Sequence, residues 1–477
     1  MLFNSLSFAT FFIIFFIIYW FIFKNNLKLQ NLLVLVASYV FYAWATRQFL
    51  YLIILSTCIT YYLGILIEKS TTQKSKNRLL NLGLLLLVGC LVYFKYTNFL
   101  ITSINSVAHT NFRTLNILLP LGISFYTFRL ISYLFDIKNG KFKPTTDWVI
   151  FAAYVSFFPS LISGPIDRPK TLIPQLEKPR QFDADRGIDG LRQILWGLFK
   201  KVVIADNCAQ LANYSFDTPH LRGVILVVGA FFYTIQIYAD FSGYSDMAIG
   251  ITRLLGFEIT RNFNYPFFAQ NIADFWRRWH MSLTTWLTDY VFAPLSITFR
   301  DYDKNGLIMA ILINFTIIGI WHGANWTFVL FGVLHGLYYI PLILKGKLNK
   351  KKDIQAGQML PTFAELRNII GTFLLVMFTF ILFRSADLLS ALKYYRDIFS
   401  LAPLTFTDIN PGWMYLLALV FIIFMMLAEW KSRGKLHVLQ NMDAKWPGLI
   451  RWSFYVVAVA LIMTFTGHEQ QFIYFKF

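Results

Sequence analysis

The chain has 477 residues, of which 57% are hydrophobic, 18% aromatic and 14% charged, with a formal net charge of +18. Soluble domains carry about 25% charged residues, so the composition excludes a soluble globular protein, and with no basic soluble domain to hold it, nucleic acid is excluded as a partner. Three cysteines, Cys58, Cys90 and Cys208, form no close-spaced pair, so neither a disulfide framework nor a zinc cluster is expected and no metal site is assigned.

Apolar runs of about 18–20 residues recur along the chain, the length a helix needs to cross a hydrocarbon core. They lie near 7–23, 30–46, 49–67, 79–95, 115–136, 148–165, 222–239, 308–321, 325–344, 368–383, 413–428 and 451–466, with a weaker one near 190–205. The expected fold is an all-α integral membrane protein with about 11–13 spanning or re-entrant helices. No soluble domain or internal repeat divides it, so residues 1–477 read as one multispanning domain.

No lysine or arginine precedes the first run, and Lys24 and Lys28 follow it. That reverses the basic start of a secretory signal, and the run reads as a retained span with its N-terminus extracytoplasmic. Basic residues favour cytoplasmic loops. Lys24 and Lys28, then Lys69, Lys74, Lys76 and Arg78, then Lys138, Lys141 and Lys143 fall in alternate loops, whereas the loops between hold only Arg47 and Arg113. The later clusters Lys345–Lys352 and Lys431–Lys435 are expected on the same cytoplasmic side. Much of the positive charge then reflects topology and attraction to anionic lipid.

Two longer polar stretches separate spans, Gly164–Gly187 and Gly256–Gly306. The second contains DFWRRWHMSLTTWLTDY, Asp274 to Tyr290. On a continuous helix Phe275, Trp276, Trp279, Leu283, Trp286, Leu287 and Tyr290 share one face, and Asp274, Arg277, Arg278, Thr284, Thr285 and Thr288 the other. An interfacial amphipathic helix near 274–290 is expected, with His280 at the edge of its apolar stripe. Arg277 and Arg278 then meet either lipid phosphates or an anionic substrate.

IIGIWHGANW places His322 at the end of an apolar run with Trp321 beside it. Ionisable groups in spans are costly and face a cavity or the bundle interior. Low dielectric disfavours the imidazolium, and a neutral imidazole can take a proton from a hydroxyl as a general base. The alternative is a structural histidine bonded to a neighbouring helix. Asn325, three residues on, can share the face of His322 if the helix continues, and Gly319 and Gly323 leave room for close approach. His335, in VLHG, reads as structural.

Asp240 and Asp246 in YADFSGYSDMAIG need partners if buried. They suit helix caps or salt bridges, and can alternatively bind a substrate hydroxyl or a cation; their spacing does not fit a calcium loop. Arg129 and Asp136 are expected to pair with other helices, and Arg384 to snorkel. No P-loop, nucleophile elbow, HExxH or dinucleotide fingerprint occurs.

FWRRWHMSLTTWLTDYVFAPL, IWHGANWTFVLFGVLHG, LPLGISFYTFRLISYLFDI and YADFSGYSDMAIG together resemble the membrane-bound O-acyltransferases, most closely the bacterial alginate O-acetylation branch. SYVFYAW and the tail FIYFKF fit that branch too. The resemblance implies helices around a funnel from each face, meeting at a thin waist. It implies catalysis by His322 with His280 as the second histidine, and a cytoplasmic acyl donor, typically acetyl-CoA, with no bound cofactor. It also implies transfer to an extracytoplasmic polysaccharide, directly or through a partner transferase. Arg129 stands where related sequences commonly carry an uncharged polar residue. The FWRRWHMSLTTW block is similar in D-alanyl-transferring relatives, so that substrate stays open, and a polysaccharide or acyl transporter is the rival class. Besides the histidines, the candidate substrate-binding residues are Arg277, Arg278, Trp321, Asn325 and Asp240.

Overall fold

The computed structural model describes residues 1–348, 359–400, 412–444, 446–466, 470, 472 and 473. Lys350–Lys352 of the basic cluster and most of the tail FIYFKF lie outside the described residues. Among the described residues the regular structure is helical, without a strand. Helix is what an apolar chain needs in hydrocarbon, because each backbone N–H and C=O must then be satisfied within its own segment. Eight helical stretches among the described residues are long and apolar enough to cross a membrane. One of them, Leu27–Lys69, is 43 residues long, about twice the length that a crossing requires. It breaks at Thr46, where the backbone leaves the helical region (φ −150°, ψ 73°), and so supplies two crossings.

The chain divides into two compact units, Met1–Leu191 with Ala248–Thr260, and Arg192–Met247 with Arg261–Phe477. The first contains α1 (Leu6–Ile17), α2 (Leu27–Thr46), α3 (Leu50–Lys69), α4 (Gln73–Leu91), α5 (Ile123–Lys138) and α6 (Trp148–Ser156). Several start where a short polar side chain takes up an orphan N–H. Ser5 accepts from Phe8, Asn26 from Leu29, and Asp147 from both Val149 and Ile150.

Two runs here differ from the expected spans. The run near 115–136 is helical only from Ile123, because Gly122 turns the chain in a left-handed conformation (φ 71°). The run near 148–165 stops at Ser156, and a short turn follows with Pro159 in it. Proline cannot donate to the preceding turn, so carbonyls are released, and buried Arg129 collects them. Its guanidinium donates to the carbonyls of Tyr154 (3.3 Å), Val155 (3.2 Å), Ser160 (2.8 Å) and Pro165 (3.3 Å) and to the Ser160 hydroxyl (2.6 Å). Asp167 lies 3.9 Å away as counter-ion. Arg129 therefore supports a broken helix, with unwound backbone as its main partner.

Helices α7 (Ala184–Leu198) and α8 (Val224–Leu254) each contribute to both units. The second unit continues with α9 (Ile272–Arg278), α10 (Met281–Leu287), α11 (Asp303–His322), α12 (Trp326–Leu337), α13 (Phe363–Arg384), α14 (Gly412–Lys431) and α15 (Gly448–Phe465). Helices α11 and α12 pack through glycine, since a Cβ on Gly319 would lie 3.1 Å from Gly332 Cα and run into the Phe328 carbonyl. Small residues let membrane helices approach this closely. Val456, Val457 and Met463 on α15 are more than half exposed, as befits side chains whose solvent is hydrocarbon. Helix α13 opens with a reciprocal cap, in which Glu365 N–H reaches the Thr362 hydroxyl and the Glu365 carboxylate accepts Thr362 N–H.

Candidate active site

The stretch 274–290 is not one amphipathic helix. α9 ends when Trp279 N–H closes onto the Phe275 carbonyl (2.9 Å). Trp279 is then extended (φ −100°, ψ 128°) and His280 is left-handed (φ 45°, ψ 52°), before α10 begins at Met281. The break is made from a distance. Met281 N–H donates to the Asn262 carbonyl (2.8 Å), and Asn264 N–H to the Arg278 carbonyl (2.9 Å). The Asn262 side chain completes the clamp, accepting the Ser282 hydroxyl (2.6 Å) and donating to Ser245 Oγ on α8 (3.2 Å). Asn262 is fully buried. Left-handed backbone is uncommon outside glycine, though histidine is among the residues that tolerate it.

The corrected geometry changes what the apolar face does. Phe275, Trp276, Trp279, Leu283, Trp286 and Leu287 are all buried in the protein, so the tryptophans pack the interior and do not float at a lipid interface. His280 is fully buried, with its ring 4.7 Å from Phe241 and 5.7 Å from Trp321. His322 is the last residue of α11 and is 4% exposed. Its ring lies 5.0 Å from Trp321, 5.0 Å from Phe383 and 5.9 Å from Phe331. Both imidazoles thus contact one indole inside a shell of phenylalanine, although they stand 42 positions apart in sequence. Gly323 keeps the shell closed, because a Cβ there would overlap the Phe328 ring, which itself packs edge-on against Phe383 at 4.8 Å.

His335 is also fully buried, but its role is spent. Trp276 Nε1–H donates to its Nδ1 (3.1 Å), and the ring packs on Phe331 at 4.5 Å. The bond ties α9 to α12 and fits the structural role expected for it.

The remaining candidates divide. Arg278 Nε lies 3.0 Å from Asp274 Oδ1, one turn back on α9, so this arginine is held by its own helix. Arg277 is 3.8 Å from the same carboxylate, is more exposed, and lines an open cavity of about 400 Å³ with Thr284, Thr285, Thr288 and Asn314. Asn325 does not share a helical face with His322, because α11 has ended. It caps α12, accepting Thr327 N–H (3.0 Å), while its Nδ2 donates to the Ala386 carbonyl (2.6 Å). Asp240 is buried in a salt bridge with Lys201 (3.0 Å) and accepts Ile473 N–H (2.8 Å). Lys201 also holds Asp206 (2.8 Å), and Lys200 holds Asp246 (2.6 Å). Asn262, Phe241 and Phe383 were not legible as site residues; their importance lies in contacts across the fold, and each looks ordinary in its own stretch of sequence.

The sequence profile of the MBOAT, membrane-bound O-acyltransferase family, matches residues 145–381, which include both histidines. A probable alginate O-acetylase of Azotobacter vinelandii is 39% identical over 394 residues, covering 81% of this chain and 76% of the relative. A peptidoglycan O-acetyltransferase of Helicobacter pylori is 34% identical over 413 residues, 80% of this chain and 75% of the relative. A teichoic acid D-alanyltransferase of Bacillus subtilis is 30% identical over 280 residues, 56% of this chain and 69% of the relative. With the all-α membrane fold, these likenesses establish the chain as an acyltransferase belonging to the membrane-bound O-acyltransferase family.

Proposed function

We propose that the protein moves an acyl group, acetyl in the first instance, from a cytoplasmic thioester to hydroxyls of an extracytoplasmic polysaccharide. The observation that carries the reading is the pair of buried histidines on one indole, at the end of an apolar helix, in a chain with these relatives. His322 takes the proton of the acceptor hydroxyl as its oxygen bonds to the thioester carbonyl carbon. The carbon–sulfur bond breaks, and the same imidazole returns the proton to the departing sulfur, so no cofactor beyond the donor is needed. General bases of this kind contribute about 10²–10⁴-fold. His280 orients the acceptor or donates to the developing oxyanion. Of the two arginines, Arg277 is the one with room to meet the phosphates of acetyl-CoA, since Arg278 is held by Asp274.

The multi-pass chain is assigned to a bacterial cytoplasmic membrane with its N-terminus extracytoplasmic, which puts its lysine-rich loops inside. A periplasmic or extracellular partner transferase is the further component when transfer is relayed. The competing substrate is D-alanine, on the similarity to a teichoic acid D-alanyltransferase. Membranes bearing the chain, supplied with radiolabelled acetyl-CoA, are expected to place label in acid-precipitable polysaccharide. Label that appears only from a D-alanyl thioester moves the assignment to that branch, and label from neither donor, with polysaccharide and periplasmic extract present, overturns the proposed donor and acceptor.

A further inference from the structure

The cavity beside Arg277 has a polar rim and a deeper wall. At the rim the Arg277 side chain is 36% exposed, and Thr285 and Thr288 are exposed with it. Arg277 already touches Asp274 at 3.8 Å and the Leu348 carbonyl at 3.5 Å. The deeper wall is one face of α11, made by Ile311, Asn314, Phe315 and Ile318. At 100° per residue these four fall on a single stripe. His322 continues that stripe one turn beyond Ile318, so the lined face of α11 leads from the cavity to the His322 imidazole.

Asn314 alone among the four is polar. It is 8% exposed, and its Oδ1 has no hydrogen-bond partner among the described residues. A buried acceptor left unmade is costly, and this one stands on the wall of a cavity. It calls for an N–H or O–H from whatever enters. In acetyl-CoA the phosphates have no proton to give at neutral pH, and the adenine amino group lies beyond them. The pantetheine arm, between sulfur and phosphates, carries two amide N–H groups. Asn314 stands eight residues before His322, about 12 Å along the helix axis. The amide farther from the sulfur lies roughly 8–9 Å past it when the arm is extended, against about 4 Å for the nearer one. With the thioester carbon at the imidazole, the farther amide is the one that comes level with Asn314; the arm's hydroxyl lies farther on, toward the phosphates.

We propose that Asn314 is a donor-binding residue whose Oδ1 accepts the farther amide N–H of the pantetheine arm and so sets how far the thioester reaches toward His322. The inference rests on the acetyl-CoA reading above. Its test compares kcat/KM for three acetyl donors, with membranes bearing the full chain and with polysaccharide and periplasmic extract present. Acetyl-CoA and acetylpantetheine carry both amides, whereas S-acetyl-N-acetylcysteamine carries only the nearer one. Asn314→Leu is expected to lose about tenfold with the first two donors and to match the wild type with the third. Asn314→Ala, which leaves the passage wider, should show the same pattern. Without donor, the purified leucine variant should unfold at a temperature no lower than the wild type, because it removes a polar group that has no partner to lose. Unchanged use of acetyl-CoA by the variants, an equal loss with all three donors, or a lowered unfolding temperature overturns this role for Asn314 alone. A wild-type chain that transfers from none of the three overturns the acetyl-CoA reading, and this inference with it.

Discussion

His280 joins two claims that can be separated by substitution: its backbone is left-handed because Asn262 clamps the turn, and its imidazole serves acyl transfer. His280→Ala and His280→Gly both remove the ring and leave the same hole against Phe241 and Trp321, so the cavity term cancels between them. What remains is the backbone. An L-residue in the left-handed region costs about 1–2 kcal/mol that glycine does not incur. Glycine loses about 0.4–1 kcal/mol of that advantage through its freer unfolded chain. His280→Gly should therefore be the more stable variant by about 0.5–1 kcal/mol. Thermal unfolding in dodecyl maltoside, followed by intrinsic tryptophan fluorescence, measures the difference, and acyl transfer by the same preparations reads the ring. The expected result is His280→Gly unfolding at the higher temperature, with both variants equally impaired in transfer. Equal unfolding temperatures would refute the argument from φ 45°, and a fully active glycine variant would refute any role for the imidazole.

Three further substitutions bear on the account. Gly323→Ala forces a methyl into the Phe328 ring, and overpacking of this kind costs about 1–3 kcal/mol. Its unfolding temperature should fall, and transfer should fall with it because Phe328 supports Phe383 beside His322. Trp276→Phe leaves His335 Nδ1 a buried acceptor without its donor, at a cost of about 1–3 kcal/mol, yet transfer per folded molecule should be retained, which marks His335 as structural. Asp443, outside the spans, has its carboxyl held below the usual range, first by its hydrogen bond from Arg192. A depressed acid adds stability above its unfolded value, near pH 4, and loses it as pH falls through the lower folded value. Acidifying from pH 5 to pH 3 should thus lower the unfolding temperature of the wild type more than that of Asp443→Asn, and identical slopes would remove this contact from the account.

Much of the fold could be read from hydropathy alone, because a membrane requires long apolar helices and tolerates little else. What escaped was where helices break. The apolar run near 148–165 holds its break signal, Pro159, inside an otherwise continuous hydropathic stretch, and the carbonyls there are answered by Arg129 from another helix. The amphipathic pattern of 274–290 is real, yet it is cut at Trp279–His280 by Asn262, a residue 18 positions away from His280 whose backbone and side chain bind the turn. Period reasoning assumes a continuous helix, and no local signal contradicted it. The same assumption placed Asn325 on the face of His322, where the glycine after the histidine in fact ends the helix and the asparagine starts the next one. His322 was legible because the cost of an imidazole in hydrocarbon makes its position meaningful by itself. Trp321 was legible as its neighbour, but its contact with both histidines belongs to the fold.

The central claim is that the His322 imidazole carries the proton in acyl transfer. The most direct measurement is the rate of acetyl transfer from labelled acetyl-CoA by wild-type, His322→Ala and His322→Gln chains, inserted equally and unfolding at similar temperatures. Glutamine keeps much of the volume and the hydrogen bonding but cannot take the proton at neutral pH. The account predicts that both variants lose about 10²–10⁴-fold, glutamine no less than alanine. A glutamine variant that transfers at the wild-type rate would make His322 a packing residue and contradict the mechanism.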